Sequence, residues 1–433
     1  MTPVPLELHG SFTDQSILAD SAAGLQKVGL AGLLAARGRR LYRSRVPGVA
    51  TVGYRWGIRD TFTPTWWPQG IATGQHGGDP VVITSWFAQP RRGTRMGSRI
   101  SVIDLRDPAR PRYHHVLLVE PKRRNGTVVC EPVHVHAGGI VWTGDRLLVA
   151  ATHGGIREFR LGDILRTPAV GVLRRPSGLF GYQHLLPQAA VFGPPEGHQK
   201  KGMRYSFISL ESGVDPASVP VPVATSATGA STTTSVTPSA EGSPLVPELD
   251  EAVHLITGEY AQGDQGRLAR MRLTDGRSTL TDVNVPAIPE MQGAVVHNGI
   301  WFVNASRGDK RGGDLWVGTP GSMVRHADVL PPGPEDNAVW VDQNHADRNH
   351  VAHARADHAQ AAHALADHAL ADQARAAHAL ADHALADQAQ AAHALADHAL
   401  ADQAQIWSVT EFPGKRWIYA IDLDRWQSTP GTS

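Results

Sequence analysis

Residues Met291 to Gly318 read MQGAVVHNGIWFVNASRGDKRGGDLWVG. Three short apolar runs follow one another. QGAVV begins at Gln292, a His297-Asn298-Gly299 turn leads to IWFVN from Ile300, and a Gly- and charge-rich loop leads to DLWVG from Asp314. Apolar runs of this length bounded by Asn, Asp and Gly predict strands joined by tight turns. The pattern recurs on both sides. QGIAT from Gln69 repeats QGAVV and is followed by runs at Val81–Trp86, Arg99–Leu105 and Tyr113–Val119. Later copies fall at 136–161, 254–273 and 334–423, the last split by a long insertion, and region 182–210 holds two weaker candidates.

The spacing identifies the insertion. Third strands are expected near Gly266, Gly313 and Lys415, intervals of 47 and 102 residues. Removing roughly 63 residues of biased sequence brings the second to about 39, within reach of the 40–50 residues of a propeller blade. The sequence therefore predicts an all-β chain, a β-propeller of five or six four-stranded blades over residues 46–426. The last unit lacks a fourth strand, and the run Gly48–Gly57 is expected to supply it and close the ring. Residues 1–45 are expected to form a helical segment, an amphipathic helix over Gln15–Arg40 whose removal should cost little. A Ser/Thr/Pro-rich tract at 214–251 and the tail 427–433 are expected to be disordered. The insert at 342–405 carries a tandem repeat, AAHALADHALADQA, with His–Asp pairs four residues apart such as His363 and Asp367, and is expected to be helical or disordered.

Composition bounds the function. Lys+Arg and Asp+Glu number 41 each, a balance that argues against nucleic acid or a membrane surface as partner. Cys130 is the single cysteine, so neither a disulfide within the chain nor a cysteine-pair zinc site is expected. No nucleophile elbow, phosphate-loop lysine or His-Glu-x-x-His motif occurs. The apolar run Val28–Ala36 has acidic residues before it and arginines after it, opposite to a secretory signal.

Several stretches together resemble a family of secreted, propeller-like proteins of actinomycetes: WWPQGI at 66–71, HVHAGGIVW at 134–142, RYSFISL at 204–210, LPPGPED at 330–336 and IWSVTE at 406–411. The resemblance spans about Tyr54 to Trp426 outside the two biased segments. It implies a propeller fold and an extracellular place, and it carries no assigned activity.

Candidate site residues follow from the expected fold. First strands of blades line the central channel, so Gln69, His134, His136, Gln292, Glu335 and Asp336 are expected to converge at one end of it. His134 and His136 alternate, which on a strand points both rings to one face. Such a set could bind a small polar ligand, or hold a divalent cation with His136 and Glu335 as metal ligands. The competing reading is structural: polar inner positions that hold channel water beside glycines that allow close approach. The tryptophans, mostly within or beside strand runs, read as packing between blades rather than a carbohydrate platform; Trp66 and Trp67, next to the expected rim, are where such a platform would be sought. Two functions are expected from this set. One is a binding or interaction module for a small polar molecule or a protein. The other is a metal-dependent, lactonase-like hydrolase using Glu335 or Asp336 with His134 or His136.

Overall fold

The computed structural model describes residues 7–90, 96–170, 175–176, 179–194, 202–212, 252–274, 276–340 and 404–427. The biased tract at 214–251, nearly all of the 342–405 insert and nearly all of the 427–433 tail lie outside them, and so do the expectations made for those segments.

The chain is mostly β and propeller-like. Among the described residues, antiparallel pairing runs in five consecutive groups of four. The first holds Trp66–His76, Asp79–Ala88, Ser98–Asp104 and Arg112–Arg124. The second holds Ile140–Thr143, Arg146–Ala150, Ile156–Arg160 and His184–Gly193. Phe207–Leu210, Val253–Gly258, Leu268–Thr274 and Arg277–Asn284 form the third. The opening stretch of sequence is the fourth, Met291–His297, Ile300–Ala305, Gly313–Thr319 and Ser322–Leu330. The fifth pairs Pro334–Trp340, Gln405–Thr410 and Trp417–Asp422, then takes Val52–Arg55 from the other end of the chain. Trp417 opposes Arg55 and Ala420 opposes Val52, which is the closure expected from the missing fourth strand.

The first strands of the groups lie side by side, each touching the next, and the fifth returns to the first. Two glycines make that approach possible. A Cβ on Gly139 would lie 2.3 Å from the Ile208 nitrogen of the third group, and one on Gly293 would lie 2.8 Å from the Asp336 Cα of the fifth. Both are far inside contact distance, so no side chain fits there. Between groups, buried aliphatic faces meet as in any stacked-sheet core, with Ile83, Ile100 and Val116 of the first packing in one cluster with Leu147, Val149 and Phe159 of the second.

The N-terminal segment differs from the single helix expected. Asp14 caps a short helix, Gln15–Ser21, by accepting from the Ser16 nitrogen at 2.7 Å. Gly24, at φ 74°, then turns the chain, and a second helix covers Gly29–Ala35. The first helix itself ends at its cap, Ala22, and a left-handed turn just beyond it favours glycine, which reaches that conformation without steric cost. Nor is the segment peripheral. Strand Glu7–Phe12 pairs with His184–Gly193 of the second group and with Arg277–Asn284 of the third. Leu30, Leu33 and Leu34 pack into the core shared by the first and second. Arg39–Arg40 pairs with the first group, and Tyr42–Arg43 extends the fifth. Residues 7–55 thus form a belt around four groups. Periodicity marked the apolar positions, but two-residue pairings to distant strands leave no local pattern to read.

Candidate functional site

Three of the five inner strands slip register at the same level. The shifts fall between Pro68 and Ile71, between Met291 and Gly293, and between Pro334 and Asn337. Each contains a candidate: Gln69, Gln292, or the pair Glu335–Asp336. A bulge adds one residue to a strand and re-aims its side chain. Here it points amides and carboxyls at one another across groups. Gln69 Nε2 donates to Glu411 Oε2 at 3.1 Å, and Gln292 Nε2 donates to Glu335 Oε1 at 3.2 Å. Tyr260, on the loop after Val253–Gly258, stands in the field of Glu290, Glu335 and Glu411. These residues form the rim of the inner-strand ring at the end where its strands begin.

Beneath them lies Asp336, with no exposed surface. Its Oδ2 accepts from the backbone nitrogens of Ile71 and Ile140, both at 3.1 Å. Those nitrogens belong to the first and second inner strands, whereas Asp336 sits on the fifth. Its side chain therefore reaches across the ring and pins three strands together. The Asn337 N–H lies near the carboxyl, and its other oxygen, Oδ1, makes no hydrogen bond of good geometry.

Burial dominates the electrostatics of this set. It pushes the Glu335 carboxyl well above the usual range, with Glu411 and Asp336 adding repulsion. Burial raises Asp336 too, against the backbone N–H groups that favour its charged form. Glu411 is pushed up to about 7, chiefly by burial, while the Gln69 amide and Arg416 pull the other way. For an acid raised in the folded state, the folded chain holds the proton more tightly, so stability is greatest at low pH and falls as pH rises from about 4.5 to 7. Replacing Glu411 by Gln is expected to stabilise the protein at pH 8 relative to wild type, by about 1–3 kcal/mol once screening at the partly open rim is allowed for. At pH 4, below the unfolded pKa, the two should melt together. Thermal melts at both pH values check this, and equal differences at the two would overturn the assignment.

The histidines are placed differently from the expectation. The strand expected from His136 begins only at Ile140, because Ala137 takes a left-handed φ of 55°. Alternation on a strand therefore does not align the two rings. His134 is exposed, and His136 stacks on Phe87 with ring centroids 4.2 Å apart. Among the described residues, no group of three or more His, Cys, Asp or Glu side chains is placed to hold a metal ion. The structure brings together Gln69, Gln292, Glu335 and Asp336. Sequence reasoning missed Glu411, Tyr260 and Glu290. Glu411 had one available signal, its place directly after the strand run IWSVT, on the loop end of the fifth group. Trp67 lies edge-on to Phe412 at 5.9 Å and under the Arg416 guanidinium, so part of its ring is already used in packing.

A second polar cluster has a more suggestive composition and a plainer role. Ser101 Oγ lies 2.8 Å from His115 Nδ1, and His115 Nε2 lies 3.1 Å from Asp60 Oδ1 at an angle poor for a hydrogen bond. Ser, His and Asp in that order suggest a nucleophilic triad. Yet Ser101 has no exposed surface, and the Trp86 indole already donates to its oxygen at 2.8 Å. Burial and Arg99 hold His115 down to about 3, so the ring is neutral and shares a hydrogen bond with the Ser101 hydroxyl without taking its proton. Asp60 also accepts from Tyr113 at 2.7 Å, Arg39 at 2.9 Å and Arg99 at 3.1 Å. The cluster is a sealed lock behind the closing strand, held from the other side by Arg416, which donates to the Asp60 carbonyl at 3.0 Å.

These features define a class: a mostly β, propeller-like protein with a polar, acid-rich rim at one end of its inner-strand ring. No protein-family model and no curated protein matches the chain. Solved structures similar to it include a subtype N11 neuraminidase-like protein of A/flat-faced bat/Peru/033/2010 (H18N11), at 10% identity and a TM-score of 0.27, covering 67% of this chain and 63% of that one. Another is the Bombyx mori GH32 beta-fructofuranosidase BmSUC1, at 10% identity and a TM-score of 0.30, covering 75% and 58%. The chain spans less than two thirds of either. Likeness at this level carries no argument about activity, and the fold stands on the strand pairing itself. Among the described residues, no helix is long and apolar enough to cross a membrane.

Proposed function

We propose that the chain is a five-bladed β-propeller acting as a binding module, with a small polar ligand seated at the rim formed by Gln69, Gln292, Glu335 and Glu411. The observation that carries this reading is the coincidence of three bulges at one level, each delivering a polar side chain to the same opening. Packing alone does not need that, since a bulge forfeits ladder pairing and is retained where a side chain must be aimed. The sequence resemblance to secreted actinomycete proteins adds an extracellular setting, where small polar solutes would be met.

The test is a thermal-shift panel on the full chain with sugars, amino acids, aliphatic amines and divalent cations. At least one compound is expected to raise the melting temperature saturably, and the effect should vanish in Gln292→Ala. A panel with no saturable hit, or hits indifferent to Gln292, would count against the module.

One observation favours a second reading, hydrolysis at the same rim. The Glu411 carboxyl, raised to about 7, has the proton affinity a general acid or base needs near neutral pH. In the metal-dependent version Glu335 would be a ligand, but His136 stacks on Phe87 and has no contact placing it beside that carboxylate. Hydrolysis of activated esters and lactones that is lost in Glu411→Gln would favour this reading over simple binding.

A further inference from the structure

Glu335 is 2% exposed, and its one hydrogen bond comes from a neutral amide, as does the bond that Gln69 gives Glu411. An amide orients a carboxylate without neutralising it. Buried carboxylates are ordinarily paired with cations. No cation on this face makes a hydrogen bond to either carboxylate among the described residues, and most are engaged elsewhere. Arg267 holds Glu259 at 2.7 Å, Arg204 donates to the Tyr260 carbonyl at 2.8 Å, and Lys415 donates to the Asp309 carbonyl. Arg416 gives its Nε to the Glu411 carbonyl at 2.7 Å and one terminal nitrogen to the carbonyls of Asp60 and Thr63, so its charge offsets Glu411 in part without a hydrogen bond to the carboxylate.

We propose that the ligand of the rim is a small protonated aliphatic amine, its ammonium received by Glu335 and Glu411 beside Tyr260. The inference rests on the binding-module reading and names the chemistry of its ligand. An independent observation lies below the rim, at Asp336. That carboxyl is wholly buried and reaches across the ring under Glu335; the Asn337 N–H lies near it, and its Oδ1 makes no hydrogen bond of good geometry. The rim presents the carboxyls of Glu335 and Glu411 as its principal acceptors, each oriented by one amide, with the Tyr260 phenol beside them. An ammonium carries three donors and no acceptor, the complement of such a set. A hard metal ion demands six or more oxygens around one point, and the described residues hold no grouping of His, Cys, Asp and Glu that could provide them. A sugar or other neutral polyol would leave the charge of the two rim carboxylates largely uncompensated, which an ammonium does not.

The experiment is calorimetric titration of the full chain at pH 7.5 with 1,4-diaminobutane, with its uncharged counterpart 1,4-butanediol, and with calcium chloride. A lysine tripeptide with blocked termini serves as a fourth probe and separates a free amine from a lysine side chain as source. Saturable binding of an amine probe is expected, at least tenfold weaker in both Glu335→Gln and Glu411→Gln, with no binding of the diol. Circular dichroism of each variant shows whether it has kept its fold. Glu411, at the partly open rim, gives a variant whose folding is not at stake should Glu335→Gln fail to fold. If the diol or calcium binds and the amines do not, the ammonium assignment falls while the binding module stands. If none of the four probes binds, the ammonium assignment falls as well, and the broader panel of solutes then decides the module separately.

Discussion

A chain beginning at residue 46 will not hold its fold at ambient temperature. Truncation there removes Leu8, Leu30, Leu33, Leu34 and Leu41, all buried at 8% exposure or less. At about 1.5–3 kcal/mol for each buried leucine, the loss is roughly 8–15 kcal/mol, before the strand pairings with the first, second, third and fifth groups are counted. A folded domain has only about 5–15 kcal/mol to lose. Sequence reasoning expected this truncation to be mild, because it read residues 1–45 as a helix outside the ring. The belt reverses that expectation. Circular dichroism and a thermal melt of residues 46–433 decide the matter, and a melting temperature within a few degrees of the full chain would overturn the belt.

The second large effect is at Asp60. Asp60→Asn keeps the shape of the side chain and removes the charge that faces Arg39 and Arg99. The Arg99 side chain is 5% exposed and lies over the rings of Trp66 and Trp86, 4.4 and 4.6 Å from their centroids. It has nowhere to be solvated once its partner is neutral. Breaking a buried ion pair from one side costs about 3–5 kcal/mol, and a comparable drop in unfolding free energy is expected. The pH dependence supplies a signature. His115, Arg99 and Tyr113 hold Asp60 far below the usual carboxylate range despite its burial. A lowered acid stabilises the fold above its unfolded pKa of about 3.9, and the benefit is lost as pH falls below that value. His115, held down to about 3, adds a loss that begins near pH 6.5, because the unfolded chain takes up a proton that the folded chain refuses. The deficit of Asp60→Asn relative to wild type should thus be constant from pH 8 down to about 5 and shrink below pH 4. Chemical denaturation across that range measures it, and a deficit under about 1 kcal/mol at pH 7 would show that Asp60 is not the counter-charge of Arg99.

The strand order was legible because its signals are local: alternation, turn glycines, and a repeat length that exposed the insertion. Closure followed by subtraction, since the last unit lacked one strand and Gly48–Gly57 was left over. Gln69 and Gln292 shared a register before glycine, and PED at 334–336 fell at the same level, so half of the rim could be read. The remainder depends on contacts that no spacing encodes. Asp60, Arg99, Ser101, Tyr113 and His115 meet from a short helix and two strands. Glu411 becomes a rim residue only once the fifth group is folded against the first. His134 and His136 misled for a local reason, because the left-handed Ala137 stops the strand that would have aligned them. Two-residue strands such as Arg39–Arg40 are shorter than any periodicity can mark.

The belt and the closing strand also set a timetable for the ribosome. The Thr51 nitrogen bonds the Ala420 carbonyl at 2.9 Å across a separation of 369 residues. At about 5–20 residues per second, Val52–Arg55 emerges roughly 20–70 s before its partner exists. Throughout that interval Val52–Arg55 is a free strand with an apolar face. The edge it fits is offered equally by any neighbouring copy that has just finished synthesis. Closure within one chain must therefore win a race against closure between two. On a polysome, where copies are crowded and staggered in age, the same strand that completes the ring is the one most able to link rings into a swapped chain.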